Sequence, residues 1–143
     1  MEIVIREIET SDYHDVMVLR NDVLGSNMTE DNFTSKMELM NKNDGYKTFV
    51  AVLNNNVAGF ISIITILAME WEIGYLRVDG LAVKEEYQNK GIGSKLLAYA
   101  ENYAKEIGLS CSSLNSNFKR TDAHSFYESK SYTKHAYYFV KRL

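Results

Sequence analysis

The chain has 143 residues, of which 45% are apolar and 24% charged, and its formal net charge is −3 at pH 7. This length and composition predict one globular domain over residues 1–143 with a substantial core. The single cysteine excludes an internal disulfide and offers no metal cluster, and the acidic balance argues against a nucleic-acid surface. No signal peptide or membrane-spanning stretch is visible. We therefore expect a cytoplasmic protein without metal, membrane or nucleic-acid partners.

The first third reads as one strand followed by two helices. Residues 3–8 are apolar enough for a strand, and residues 10–12 supply a helix cap with acidic first-turn charge. Apolar residues at helical spacing follow until Gly25, a typical helix stop. Thr29 then caps a second helix, which ends near residues 43–45.

The rest of the chain alternates strands with two further helices. Asn54, Asn55 and Asn56 predict a hairpin turn, because asparagine tolerates left-handed backbone conformations. The predicted strands cover residues 46–53, 57–67, 73–83, 109–114 and 132–140, and the predicted helices run from 94 to 107 and onward from 121. The element order is therefore β-α-α-β-β-β-α-β-α-β, an α/β arrangement with an antiparallel section in a mixed sheet.

The most informative stretch is the polar, glycine-containing segment between the strand at residues 73–83 and the following helix. It reads Gln88-Asn89-Lys90-Gly91-Ile92-Gly93-Ser94-Lys95. The first N–H groups of a helix have no internal partner and the helix dipole adds positive character there, while glycine lets a phosphate approach the backbone. Lys90 and Lys95 add charge. The segment therefore predicts a pyrophosphate cradle.

Its spacing distinguishes it from other phosphate motifs. There is no G-x-x-x-x-G-K-[ST] sequence, and the dinucleotide fingerprint G-x-G-x-x-G fails because Leu96 occupies the third glycine position. Gln88, Gly91 and Gly93 instead resemble Q/R-x-x-G-x-G/A, the acyl-CoA-binding signature of the GCN5-related N-acetyltransferase (GNAT) superfamily. A glycine-rich helix start with no ligand is the alternative interpretation.

A second block strengthens the resemblance. Residues 120–132 resemble the late helix of that family, R-x-x-A-x-x-F-Y-E-x-x-G-[FY], with Ser131 in place of the usual glycine. The two blocks occur in the family's order, and the element order matches the GNAT acyl-CoA N-acyltransferase fold. The resemblance thus covers the whole chain.

The resemblance implies an N-acetyltransferase that moves an acetyl group directly from acetyl-CoA to a primary amine. It implies cosubstrate contacts along the strand before the cradle and through the cradle itself, at Leu81, Ala82, Val83, Gln88, Asn89, Lys90, Gly91, Ile92, Gly93 and Ser94. Gly80 suits a β-bulge in that strand. Tyr127 stands at the family's general-acid position, and its reference pKa near 10 keeps it protonated at neutral pH. The alternative for Tyr127 is an ordinary core residue.

The amine must also lose a proton before it can attack. Asp79 is the preferred base, because a carboxylate in the middle of an apolar strand is costly unless it has a purpose or a partner. Glu72 reads as a solvated charge at a turn, and a water chain with no single base is the remaining alternative. His14, His124 and His135 are not assigned a role.

The acceptor is predicted from charge. Residues 1–45 carry ten acidic and four basic side chains, whereas the remainder carries an excess of basic ones. In the GNAT fold the first two helices border the acceptor, so an acidic wall favours a cationic small molecule or a lysine or N-terminal amine of a peptide. Solvated helix faces are the alternative explanation for this acidic excess.

A non-catalytic acyl-CoA-binding module and a toxin-type enzyme acting on aminoacyl-tRNA are the competing functions. The aromatic run at residues 137–140 suggests strand pairing in a homodimer, and burial in the core explains it equally.

Overall fold

A computed structural model describes residues 2–70 and 73–143. In it the five strands form one sheet in the order β1-β2-β3-β4-β5. The strands are β1 (Ile3–Glu7), β2 (Tyr46–Leu53), β3 (Asn56–Leu67), β4 (Gly74–Val83) and β5 (Ser112–Leu114). The helices are α1 (Tyr13–Leu24), α2 (Glu30–Asn41), α3 (Ile92–Glu106) and α4 (Thr121–Ser129). Within residues 2–70 and 73–143, no helix is long and apolar enough to cross a membrane.

The predicted local signals are confirmed at several element ends. Gly25 ends α1 with a left-handed φ of 72°, and the Thr29 hydroxyl accepts a 3.2 Å hydrogen bond from the Asn32 N–H at the start of α2. Asn54 and Asn55 have positive φ values of 51° and 63° in the β2–β3 hairpin. These residues form caps and turns because their backbones or short polar side chains suit those conformations.

Two cores lie on opposite faces of the sheet. Alternate residues of β3 point to opposite faces, so Phe60 joins the core under α1 and α2 while Ile61 joins the core under α3. Strands β1 to β4 pair antiparallel, whereas β4 and β5 pair parallel. A parallel pair needs a crossover connection, and α3 supplies it.

The predicted closing strand at residues 132–140 is wrong for this structure. Residues 132–143 contain no strand, and the side chains of Tyr137 and Phe139 are 91% and 89% exposed. A strand forms only where a neighbour accepts its backbone hydrogen bonds, and β5, expected over residues 109–114, has only three residues. The aromatic residues 137–139 therefore lie outside the core, whereas Tyr132 packs against it.

Candidate active site

The segment between β4 and α3 turns sharply into the helix. Residues 85–87 make a single 3₁₀ turn, after which Asn89 adopts a left-handed φ of 61°. Gly91 is also left-handed, with a φ of 83°, and is the N-cap of α3. Asparagine and glycine are the residues that tolerate this conformation best, so the local sequence determines the turn.

Backbone N–H groups at the start of α3 remain available to a ligand. The first helical hydrogen bond runs from the Lys95 N–H to the Gly91 carbonyl oxygen at 3.1 Å. In the described part of the chain, no backbone acceptor is found for the N–H groups of residues 89–94. Together with the positive end of the helix dipole, these groups suit an anion such as a pyrophosphate.

The two glycines leave room above this turn. A Cβ atom on Gly91 would have no neighbour within 4 Å, and one on Gly93 would lie 3.7 Å from Phe126 and 3.8 Å from Val83, which are ordinary contacts. The packing of the protein therefore does not require a missing side chain at either position.

Gln88 fixes this turn to the sheet. Its side-chain amide donates a 3.0 Å hydrogen bond to the Val83 carbonyl oxygen at the end of β4. The cosubstrate contact that the sequence analysis assigned to Gln88 stays a prediction. The Lys90 ammonium lies 5.9 Å from the Tyr87 ring centroid, beside the same turn.

Strand β4 separates from β5 at the point where Gly80 predicts a bulge. Strand β5 pairs only with residues 76–78 of β4, and the register with β3 passes from Val78–Ile63 to Gly80–Ser62, which leaves Asp79 as the extra residue. The β-bulge is therefore confirmed. Beyond it, Leu81, Ala82 and Val83 pair with β3 on one side and, among the described residues, with no strand on the other. Alternate N–H and C=O groups of this segment point toward that open edge and can pair with an extended ligand.

Asp79 lies on the bulge and its side chain is 57% exposed. A carboxylate this exposed does not carry the desolvation cost on which its choice as the base rested, because the bulge removes it from the regular alternation, and its role as the base stays a prediction. Its Oδ2 lies 3.9 Å from Nη2 of Arg20, a residue of α1 that the sequence reasoning missed. The signal for Arg20 was available: it stands on the apolar stripe of α1, one turn after Val16 and one turn before Leu24. Glu72, the other candidate base, lies outside the described residues.

Tyr127 of α4 is half-buried beside two other aromatic rings. The ring centroids of Phe126 and Tyr132 lie 5.2 and 5.8 Å away, both edge-on. Burial raises the pKa of the Tyr127 hydroxyl, an effect that Arg120 opposes. Phe126 in turn faces the Gly93 position at the start of α3, which places α4 against that helix. Tyr127 is therefore protonated at neutral pH and able to donate.

A hydrogen-bonded group that the sequence did not predict holds α4 in place. The Tyr132 hydroxyl lies 2.7 Å from the Ser112 hydroxyl and donates to the Glu101 carboxylate at 2.9 Å. Burial raises the pKa of Tyr132, while the hydrogen bond with Ser112 opposes the increase. The group connects the end of α4 to both β5 and α3.

Comparison with known proteins identifies this arrangement. Residues 6–131 match the sequence profile of the acetyltransferase (GNAT) family. The chain belongs to the GNAT acetyltransferase family. It is 33% identical over 109 residues to an aminoalkylphosphonate N-acetyltransferase of Salmonella typhimurium, a match that covers 73% of this chain and 67% of the relative. The GNAT resemblance and the mixed α/β fold are both confirmed, and the chain is an acetyl-CoA-dependent N-acetyltransferase.

Two solved structures share the fold at low sequence identity. One is an aminoglycoside acetyltransferase from an uncultured soil metagenomic sample in complex with trehalose, with a TM-score of 0.86 and 19% sequence identity. The match covers 99% of this chain and 96% of the aminoglycoside acetyltransferase chain. The structure of AAC(6')-Iy in complex with the bisubstrate analogue CoA-S-monomethyl-acetylneamine has a TM-score of 0.84 at 14% identity, with both chains fully covered.

Proposed function

We propose that this GNAT enzyme acetylates the primary amine of a small molecule at the open edge of β4. The observation that carries the proposal is the position of this edge beside the start of α3. The edge offers backbone groups to an extended amide chain, and the helix start offers N–H groups to a diphosphate. Coenzyme A contains both parts in that order, which supports acetyl-CoA as the cosubstrate.

In this proposal the β4 backbone and the cradle divide the cosubstrate contacts. Leu81, Ala82 and Val83 pair with the pantetheine amides, and the N–H groups of residues 89–94 bind the pyrophosphate. A backbone N–H of residues 81–83 polarises the thioester carbonyl as negative charge develops on its oxygen. Gln88 acts by holding the loop that presents these groups.

The acetyl transfer itself forms one bond and breaks one. The amine nitrogen attacks the thioester carbon to form an amide bond, and the carbon–sulfur bond breaks to release a thiolate. Tyr127 protonates this thiolate, because burial keeps its hydroxyl protonated at neutral pH. Asp79 accepts the proton that the ammonium loses before the attack, and a water chain is the alternative route. The second proton, which the nitrogen loses as the amide forms, restores the Tyr127 hydroxyl.

Two classes of acceptor amine, which differ in charge, are candidates. The acidic excess of residues 1–45 supports a cationic amine, as does the fold shared with an aminoglycoside acetyltransferase. Several of those carboxylates have basic partners within the protein, however: Asp12 with Arg6, Glu7 with Lys47 and Glu30 with His14. The second candidate is an amine that also carries an anionic group, and the 33% identity to an aminoalkylphosphonate N-acetyltransferase favours it.

A turnover screen tests the proposal. Purified protein and acetyl-CoA are incubated with matched amines, namely a diamine, an uncharged alkylamine, an amino acid and an aminoalkylphosphonate, at low and high salt. Acetylated product from at least one amine is expected, and salt should weaken the charged pairs. Binding of acetyl-CoA without any acetylated small amine would instead support the non-catalytic module. Acetylation of aminoacyl-tRNA alone would support the toxin-type reading.

A further inference from the structure

The guanidinium of Arg20 lies over the bulge of β4. Its Nη1 is 2.7 Å from the point that a Cβ on Gly80 would occupy, so glycine at this position makes the room for it. Leu24 and Phe60 lie 3.4 and 3.6 Å from the same point. The arginine charge is therefore held against an apolar wall, where an opposite charge binds more strongly than in open solvent.

A second arginine, Arg6, gives a comparison with a guanidinium whose donors are hydrogen-bonded within the protein. Arg6 donates to both carboxylate oxygens of Asp12, at 2.7 and 3.1 Å. Arg20 contacts Asp79 at 3.9 Å, which is beyond hydrogen-bond distance, and no hydrogen bond from Arg20 is found within residues 2–70 and 73–143. Its side chain is 25% exposed, so the donors of the planar fork are accessible to a small ligand.

We infer that Arg20 binds an anionic group of the acceptor, a phosphonate or a carboxylate, and thereby selects amines that carry one. This inference rests on the proposed function. The fork of an arginine matches the two oxygens of such a group and binds them bidentately. Arg20 and Asp79 together present opposite charges at the bulge, beside the open edge at residues 81–83. A zwitterion whose ammonium and anion are a few bonds apart fits this pair, with its amine toward Asp79.

The test compares three amines of similar size in wild type and in Arg20→Gln: 2-aminoethylphosphonate, β-alanine and n-propylamine. Loss of a charge-assisted bidentate contact should lower kcat/KM for the two anionic amines by roughly 10- to 100-fold, mainly through KM. The loss for n-propylamine should be at least about tenfold smaller, because that amine has no group for Arg20 to bind and is affected only through the neighbouring Asp79. Arg20→Lys, which keeps the charge and loses the fork, should recover part of the loss. Lys36→Gln removes an exposed charge from α2 and is the matched control.

Other outcomes would overturn the inference. An equal loss for all three amines would mean that Arg20 supports the bulge rather than the acceptor, and an unchanged KM for the anionic amines would remove it from recognition. A calorimetric titration of 2-aminoethylphosphonate into protein saturated with coenzyme A separates this inference from the acetyl-transfer proposal. Binding that is lost in Arg20→Gln supports the anion site even if no amine is acetylated. Absence of binding to wild type refutes it even if other amines are acetylated.

Discussion

The sequence predicts clear secondary structure both in the β4–α3 region and in the last third of the chain, but the structure matches the prediction well only in the first of these regions. From residue 79 to residue 95 the predicted bulge, turn and helix start are all present. From residue 109 onward, the predicted strand 109–114 shrinks to three residues and the strand 132–140 is absent among the described residues. Both regions have clear local patterns, so pattern strength does not explain the difference.

The difference lies in where each element finds its hydrogen-bond partners. A turn and a helix start are determined within a few residues, by left-handed conformations at Asn89 and Gly91 and by bonds such as Lys95 N–H to Gly91. A strand is satisfied only by another strand, whose position depends on the whole fold. Among the described residues, the last third pairs with the sheet only at residues 112–114, and the Tyr132 hydroxyl adds hydrogen bonds to Ser112 and Glu101. Four substitutions test this contrast.

Gly93→Glu should have the largest effect on function, because it places a charged side chain at the start of α3, within the segment proposed to bind the pyrophosphate. A carboxylate at the start of α3 is tolerated by the helix dipole but repels the pyrophosphate and fills its space. Coenzyme A binding should become undetectable by calorimetry while circular dichroism stays unchanged. Ser125→Glu adds the same side chain at an exposed position of α4 and should bind normally. Unchanged affinity in folded Gly93→Glu would show that the cosubstrate does not use the cradle.

Tyr127→Phe tests the chemistry of the last third. It keeps the ring contacts with Phe126 and Tyr132 and removes only the proposed proton donor. We expect kcat to fall on the order of 10²-fold with little change in the KM for acetyl-CoA. Tyr137→Phe, at a position that is 91% exposed, should leave kcat unchanged. If both variants match wild type when acetyl transfer is rate-limiting, Tyr127 is not the acid.

Tyr132→Phe tests whether side chains hold the last third in place. It removes the hydroxyl that bonds Ser112 and Glu101, and the free energy of unfolding should fall by about 1–2 kcal/mol. Because burial raises the folded-state pKa above the unfolded value near 10, the contribution of Tyr132 is fully present below pH 10 and is lost as the pH rises through the folded pKa. Urea unfolding from pH 8 to 11 should show a flatter alkaline decline for the variant. An identical decline in both proteins would contradict this assignment.

Ser131→Gly should have the smallest effect and the opposite sign. Ser131 ends the α4 segment with a left-handed φ of 69°, at the position where the family pattern has glycine. Glycine adopts this conformation without the cost to a side chain, so the free energy of unfolding should rise by about 0.5–1 kcal/mol. Ser129→Gly, inside the last turn of α4, should instead lower it by a similar amount. A destabilised Ser131→Gly would show that the serine makes a compensating contact.

The sequence by itself determined the elements whose causes are local. The caps at Gly25 and Thr29, the asparagine hairpin, the cradle turn at Gly91 and the family motifs could all be predicted, because each depends on conformational preferences within a few residues. Those motifs also sufficed to predict the mixed α/β fold and the acetyltransferase class.

Only the tertiary structure decided which side chains meet across elements. The exposure of Asp79 follows from its register against β3, and its proximity to Arg20 follows from the packing of α1 on that face of the sheet. The contact of Tyr132 with Glu101 joins residues that are 31 positions apart. Such contacts depend on how helices and strands pack together, and neither spacing nor propensity within one segment encodes that packing.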